Sequence, residues 1–276
     1  PQEIDGLFNS FNQLRVMVIG DVMLDSYMWG TVNRISPEAP VPIVAVDKLD
    51  NRLGGAANVA LNLQALGATP LIYGIVGDDE KGNLFMQLLK EQSLSYEGMI
   101  QSPDRKTTVK TRVLSGGNQI LRVDEEIEID LNDRDEQDLI GKINSALERG
   151  QVDAIIFEDY DKGLITKGLI KAVGEKAAAL NIVVTADPKK KNFDNYQAVS
   201  LFKPNLKEIR EGMKVDIYQD NIGDIEDAVG SLIRDKGHGL VLVTLSELGV
   251  YIGGSGVNDR ILAHYRDITD VSGAGD

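Results

Sequence analysis

The stretch Asp270-Val271-Ser272-Gly273-Ala274-Gly275-Asp276 has the residue types and spacing best suited to chemistry in this chain. Gly273, Ala274 and Gly275 carry little or no side chain, so three successive backbone N–H groups can converge on a phosphate. A helix starting there would add its positive end. Asp276, beside such an anion hole, is a candidate general base. It would take the proton of a hydroxyl while the N–H groups stabilise a phosphoryl group in transfer. A glycine-rich turn with Asp276 as a helix N-cap accounts for the same residues.

Other constellations widen the choice. Gly20-Asp21-Val22-Met23-Leu24-Asp25 follows a strand-like run, and carboxylates at the carboxyl end of a buried strand are suited to gripping vicinal hydroxyls. Asp25 is the stronger candidate of the two, while either acid could instead cap a helix or pair with a lysine. In Leu53-Gly54-Gly55-Ala56-Ala57-Asn58 the glycines let a ligand lie against the backbone, and Asn58 can donate and accept toward a hydroxyl. A turn before a helix explains these glycines equally well. The stretch does not fit the GxGxxG dinucleotide fingerprint.

Three further segments end predicted strands: Asp187-Pro188-Lys189, Lys203-Pro204-Asn205-Leu206-Lys207-Glu208, and Val243-Thr244 through Gly249. Asn205 and Glu208, three apart at a helix start, could hold a hydrated Mg²⁺, or they could form a capping box with an amide in place of the usual hydroxyl. Thr244 and Gly249 would border a nucleotide. Lys189 could reach a phosphate, although the Lys189-Lys190-Lys191 run also suits a solvated loop.

The elements that must position these residues alternate. Short β-branched runs at 16–20, 71–77, 154–157, 182–187, 198–203 and 240–245 predict buried parallel strands. Amphipathic stretches at 56–66, 79–92, 133–149, 166–180 and 220–236 predict helices between them. The expected fold is α/β, a doubly wound, mostly parallel sheet with helices on both faces and its ligands at the carboxyl ends of the strands. Residues 28–47 and 105–124 break the alternation and predict a small β-sheet lid. If Gly116-Gly117 is a two-residue hairpin turn, Thr111 pairs with Arg122 and Arg112 with Leu121, which turns Arg112 and Arg122 to opposite faces.

Composition narrows the function. The 276 residues are 42% hydrophobic, enough for one large domain with a small appendage. The net charge of −14 argues against nonspecific binding to nucleic acid or an anionic membrane, so a phosphorylated ligand needs a local basic pocket. The absence of cysteine excludes thiolate chemistry, and two histidines make a His-based zinc site a poor expectation. No apolar run approaches the ~18 residues of a membrane span, so the expectation is a cytoplasmic protein. A first residue that is Pro1 and a last that is Asp276, in mid-motif, suggest part of a longer natural chain.

Taken together, the order GDVMLD, GGAAN, KPNLKE, VSGAGD resembles the ribokinase-like carbohydrate kinases, the PfkB family, over the whole chain. RISPEAPVP at 34–42, TRVLS at 111–115, EDYDKG at 158–163 and DPK at 187–189 resemble, within that family, the D-glycero-β-D-manno-heptose 7-phosphate kinases, including the kinase half of a bifunctional ADP-heptose synthesis protein. Val-Ser-Gly stands where Val-Thr-Gly is more usual, which keeps the small hydroxyl.

By motif position the resemblance implies that Asp276 is the general base, with Gly273, Ala274 and Gly275 as its anion hole. Asp25, Gly54, Gly55 and Asn58 would bind the sugar. Asn205 and Glu208 would organise Mg²⁺-ATP, the metal through water, with Lys203, Thr244 and Gly249 near the nucleotide. Arg34, Lys110, Arg112, Arg122 and Lys162 form the candidate set for the substrate's own phosphate, and Asp159 and Tyr160 would line the sugar pocket. ATP and Mg²⁺ are the implied cofactors, with K⁺ as a further candidate. The implied partners are a phosphorylated sugar and a second copy of the chain, paired through the lid in a homodimer.

The implied reaction gives a 1,7-bisphosphate that feeds ADP-heptose and lipopolysaccharide core synthesis. The implied domain is a single kinase domain over 1–276, truncated at its C-terminal end. A kinase of the same family acting on fructose, ribose or tagatose phosphate is the alternative, as is a sugar- or nucleotide-binding protein without catalysis. An NAD-dependent Rossmann enzyme is disfavoured by the missing fingerprint.

Overall fold

The computed structural model describes residues 2–218 and 221–263, with side chains from Ile4 onward. In chain order the elements are α1 (Gln2–Phe11), β1 (Arg15–Gly20), β2 (Val22–Ile35), β3 (Pro42–Gly55), α2 (Ala56–Ala65), β4 (Thr69–Gly77) and α3 (Glu80–Glu91). There follow β5 (Ser95–Ser102), β6 (Val109–Ser115), β7 (Asn118–Glu125), α4 (Asp133–Glu148), β8 (Ala154–Glu158), α5 (Lys167–Ala179), β9 (Val183–Asp187) and β10 (Leu201–Phe202). The described chain ends with α6 (Leu206–Met213), α7 (Ile222–Lys236), β11 (Leu240–Thr244), β12 (Val250–Gly254) and β13 (Val257–Ile261).

The doubly wound sheet expected from the alternation is present, with strand order β13-β12-β11-β10-β9-β8-β1-β4-β5. The ladders from β11 to β5 are parallel, and β12 and β13 add antiparallel at the edge. Strand β1 shows why an unbroken apolar run was needed: Met17 and Ile19 enter one core with α4, α5 and α7, and Val18 enters the other with α2 and α3. The chain leaves β1 toward β4 and β5 on one side and later fills β8 to β11 on the other. The order therefore reverses beside β1, the point where open α/β sheets bind ligands.

Local chemistry sets the helix starts. Asp79 accepts from the N–H of Gly82 at 2.7 Å, Asn132 from that of Asp135 at 2.8 Å, and Thr166 from that of Leu169 at 3.0 Å. The strand expected at 198–203 shrinks to Leu201–Phe202, because Ala198 sits at φ +50 and its N–H turns away to the carbonyl of Lys236. α1, β5 and the β12–β13 edge were not foreseen.

A second sheet has the order β3-β2-β6-β7 and covers the two segments expected to form a lid. It begins earlier than expected, at Val22 directly after Asp21, so Asp25 lies within a strand of this sheet rather than at the carboxyl end of β1. Gly116 and Gly117, at φ +58 and +83, do make the two-residue turn.

The register beyond that turn corrects the expectation. Ser115 faces Asn118 and Leu114 faces Gln119, but Val113 faces Leu121, so Ile120 is a bulge. The extra residue shifts the ladder by one and sets Arg112 directly opposite Arg122, on the same face.

Candidate functional site

The carboxyl ends of β1, β8, β9, β10 and β11 deliver Gly20, Glu158, Asp187, Phe202 and Thr244 to one edge of the large sheet. Asp21 follows β1 directly and is 3% exposed. Its carboxylate accepts from the backbone N–H groups of Tyr160 at 2.9 Å, Lys162 at 3.1 Å and Leu164 at 3.1 Å. Burial still holds its pKa above the ordinary carboxylate value, against the pull of those donors. Asp21 therefore pins the loop after β8.

Asp25 differs. It lies on the face of the second sheet that also carries Tyr27, Arg52, Lys110, Arg112, Arg122 and Asp124, as the ladder registers require. Arg112 Nη1 donates to Asp25 Oδ1 at 2.5 Å, with 15% and 21% of the two side chains exposed. Gly54 abuts the other oxygen: a Cβ there would lie 2.2 Å from Asp25 Oδ2. Gly55, at φ +60, ends β3 against the Asp21 carbonyl, which a Cβ would approach to 2.4 Å. Asn58 follows in α2, one turn on.

The five cations proposed for a substrate phosphate do not form one cluster. Lys110 stands over the Tyr160 ring at 5.9 Å, and burial, then the charge of Lys162, lowers its pKa. Arg122 makes a bidentate pair with Asp124 at 2.8 and 2.9 Å on its own strand. Lys162 is clamped by Glu126 at 2.9 Å and Glu128 at 2.7 Å, which outweigh burial and raise its pKa. Arg34 is not brought to the others. It pairs with Ile43 at the exposed far end of β2, nine residues from Asp25, or about 30 Å along an extended strand.

Asp159 is 1% exposed, so its side chain does not line an open pocket. It accepts from the Asp161 N–H at 2.9 Å and from Asn192 Nδ2 at 3.0 Å. Burial is the largest influence and pushes its pKa up to about 7, helped by the nearby Asp21 charge.

Across the edge, the nucleotide-side candidates form a continuous network. Lys203 Nζ donates to Asp187 at 2.6 Å, and Lys189 Nζ lies 3.7 Å from Asp187 and 2.6 Å from Glu208 Oε1. Burial alone would lower the pKa of Lys189, but Asp187 and Glu208 outweigh it and the net shift is upward. Asn205 and Glu208 close the capping box: Glu208 N donates to Asn205 Oδ1 at 2.9 Å, and Asn205 N donates to Glu208 Oε2 at 2.8 Å. Asn205 also bridges to Thr244, whose N–H donates to the Pro204 carbonyl at 3.2 Å. Gly249 turns the chain from β11 into β12 at φ +91 and accepts from the Leu245 N–H at 2.8 Å.

These oxygens suit Mg²⁺, a hard ion that takes few protein ligands and keeps its waters. Among the described residues no three His, Cys, Asp or Glu side chains form a metal cage. Gly273, Ala274, Gly275 and Asp276 lie outside the described residues.

Sequence reasoning missed three contributors. Tyr27 lies two residues beyond Asp25 on the same face, with the guanidinium groups of Arg52 and Arg112 over its ring at 4.7 and 5.3 Å. The period of two from Asp25 was the available signal. Arg105 donates to the carbonyls of Ile129 and Lys162, both at 2.5 Å, and Asn192 holds Asp159; neither had a local signature.

Comparison with known proteins finds related sequences and folds along the chain. A family model described as pfkB family carbohydrate kinase matches residues 13–276. Proteins named bifunctional protein HldE are similar along the chain. That of Citrifermentans bemidjiense is 36% identical over 100% of this chain and 56% of its own length, and that of Campylobacter jejuni is 39% identical over 98% and 56%. The chain thus spans about half the length of the curated relatives it matches. Among solved structures, phosphofructokinase-2 from Escherichia coli with substrates and products superposes with a TM-score of 0.73 at 17% identity, covering 95% of this chain and 82% of that one. Arabidopsis thaliana ribokinase with ribose and ATP gives 0.67 at 16%, covering 95% and 82%.

Proposed function

The chain belongs to the pfkB family of carbohydrate kinases, and from that premise we propose that its acceptor is D-glycero-β-D-manno-heptose 7-phosphate, phosphorylated at the anomeric hydroxyl to the 1,7-bisphosphate. The observation that carries this reading is the face shared by Asp25, Lys110, Arg112 and Arg122: a carboxylate for hydroxyls beside cations for a phosphate already on the acceptor. The HldE relatives and the RISPEAPVP segment favour the heptose over fructose, ribose or tagatose phosphate.

In the reaction Asp25 holds sugar hydroxyls and the lid cations hold the 7-phosphate. Asp276 takes the proton of the anomeric hydroxyl as its oxygen bonds to the γ-phosphorus and the bond to the bridging oxygen of ATP breaks. Gly273, Ala274 and Gly275 stabilise the charge in flight, so the protein contributes position and electrostatics rather than covalent chemistry. Asn205 and Glu208 would hold Mg²⁺ through water, and its charge would be available to screen the phosphates when it is bound. Lys203, Thr244 and Gly249 border the nucleotide. The second sheet excludes water as a competing acceptor.

A homodimer through that sheet is supported by its opposite face, where Leu49, Leu121 and Val123 are 51%, 45% and 48% exposed. Among the described residues no helix is long and apolar enough to cross a membrane. The product's place in ADP-heptose synthesis for lipopolysaccharide belongs to the same proposal.

Coupled ADP release with the heptose 7-phosphate, fructose 6-phosphate and ribose tests the reading. Heptose-dependent turnover supports it. Turnover on another sugar alone reassigns the acceptor, and none on any of them favours a binding protein.

A further inference from the structure

The carboxylate best suited to hold the sugar is not open in this structure. Asp25 Oδ1 accepts from Arg112 Nη1 at 2.5 Å, and Oδ2 lies against Gly54. Among the described residues Arg112 is the side chain that donates to that carboxylate, and it is itself a candidate for the acceptor's phosphate.

Its other neighbours prepare it to move. Arg122 stands directly across the ladder and repels it, but is turned to Asp124. The Tyr27 ring holds the Arg112 guanidinium at 5.3 Å without neutralising its charge, and Arg52 stands over the same ring at 4.7 Å. Lys110, two residues away on the same strand face, adds a second cation.

From this we infer that the Asp25–Arg112 pair is a phosphate-released latch that makes the kinase select acceptors already carrying a phosphate. A phosphorylated sugar supplies Arg112 with a replacement anion and frees Asp25 for the hydroxyls. A neutral sugar must displace the arginine without compensation. This rests on the reading of the acceptor as a sugar phosphate. It goes beyond that reading because Arg112 would then oppose binding of the neutral sugar, rather than merely favour the phosphorylated one.

Titration calorimetry with unphosphorylated D-glycero-D-manno-heptose separates these roles. Arg112→Gln should bind the neutral heptose about tenfold more tightly than the wild type, the size expected for releasing a charge-assisted hydrogen bond. The same variant should lose affinity for the 7-phosphate. Inorganic phosphate should tighten neutral heptose binding to the wild type and have no effect on the variant.

Arg112→Lys, which keeps the charge but not the planar fork, should fall between the two and guards against a folding defect, with thermal melts alongside. Neutral heptose affinity that is unchanged or weaker in folded variants, while the wild type turns over the 7-phosphate, would sink the latch alone. No turnover of the 7-phosphate by the wild type would sink the acceptor assignment and the latch with it.

Discussion

The two groups of candidate residues, one at the ends of the large sheet's strands and one on the second sheet, handle charge in different ways. On the nucleotide side, Lys203, Asp187, Lys189, Glu208 and Asn205 form a closed chain in which each cation meets a carboxylate, and the capping box ties that chain to α6. On the acceptor side, Lys110 faces an aromatic ring, and Arg112 and Arg122 stand opposite each other with separate carboxylates. The first group is built from the ends of buried parallel strands, where an unpaired charge would be costly. The second lies on a sheet that is largely open beyond its base, so its charges can be exchanged for those of a ligand. Under the proposed function, fixed groups suit a donor that never changes, and exchangeable ones suit recognition of the acceptor.

The largest effect expected under the proposed mechanism falls on its proposed general base, Asp276. Asp276→Asn should lower kcat by about 10³-fold with little change in KM, as loss of a general base does. Single-turnover phosphorylation measures it, and a loss below tenfold would remove Asp276 from that role.

Next come the two acids of GDVMLD, which sharpen the contrast between scaffold and site. Asp21→Ala strands the buried N–H of Leu164 and the half-buried N–H groups of Tyr160 and Lys162, and should lower urea stability by about 3 kcal/mol. Asp25→Asn should cost less than about 1 kcal/mol, as expected for a partly exposed pair, while raising KM for the sugar. Equal destabilisation by both would erase the distinction.

An effect of similar size that appears only at acid pH lies beneath β10. His238 is 2% exposed and stacks on Phe202 at 4.4 Å, beneath the strand that leads to Lys203. Burial, then the charge of Lys236, lowers its pKa to about 4. A depressed pKa favours the neutral ring in the folded state. Its contribution is therefore complete above the unfolded value near 6.5 and is lost as pH falls toward 4, up to roughly 3 kcal/mol.

Asp159, raised to about 7, has the opposite sign: its contribution is present at low pH and lost as pH rises through 7. The difference between wild type and His238→Leu isolates the histidine. The variant should lose less stability between pH 6.5 and 4, and parallel curves would refute the assignment. The smallest effect is expected at Arg122→Ala, which breaks an exposed pair. It should leave stability within about 1 kcal/mol and raise KM for the phosphosugar only a fewfold, checked by steady-state kinetics.

Much of the fold was legible because its signals are local. Strand β1 had to read as an unbroken apolar run to serve two cores, and α3, α4 and α5 announce themselves by Asp79, Asn132 and Thr166 at their caps. The Asn205–Glu208 box was equally readable, since both partners lie within one turn.

The acceptor side was less so. Whether Arg112 and Arg122 share a face depended on one bulged residue, Ile120, and a two-residue turn alone predicts the reverse. Arg34 opens the RISPEAPVP segment that resembles the heptose 7-phosphate kinases, yet strand length carries it far from Asp25.

The sequence by itself therefore determined the α/β class, the helix caps and the membership that its spaced motifs announce, because each depends on residues close along the chain or on a period repeated within one element. Only the tertiary structure decided that Asp21 pins a loop while Asp25 meets Arg112, and that Lys189 joins Asp187 to Glu208. Those outcomes depend on which distant segments the ladders bring into register, and a one-residue shift in a strand reverses every side chain beyond it.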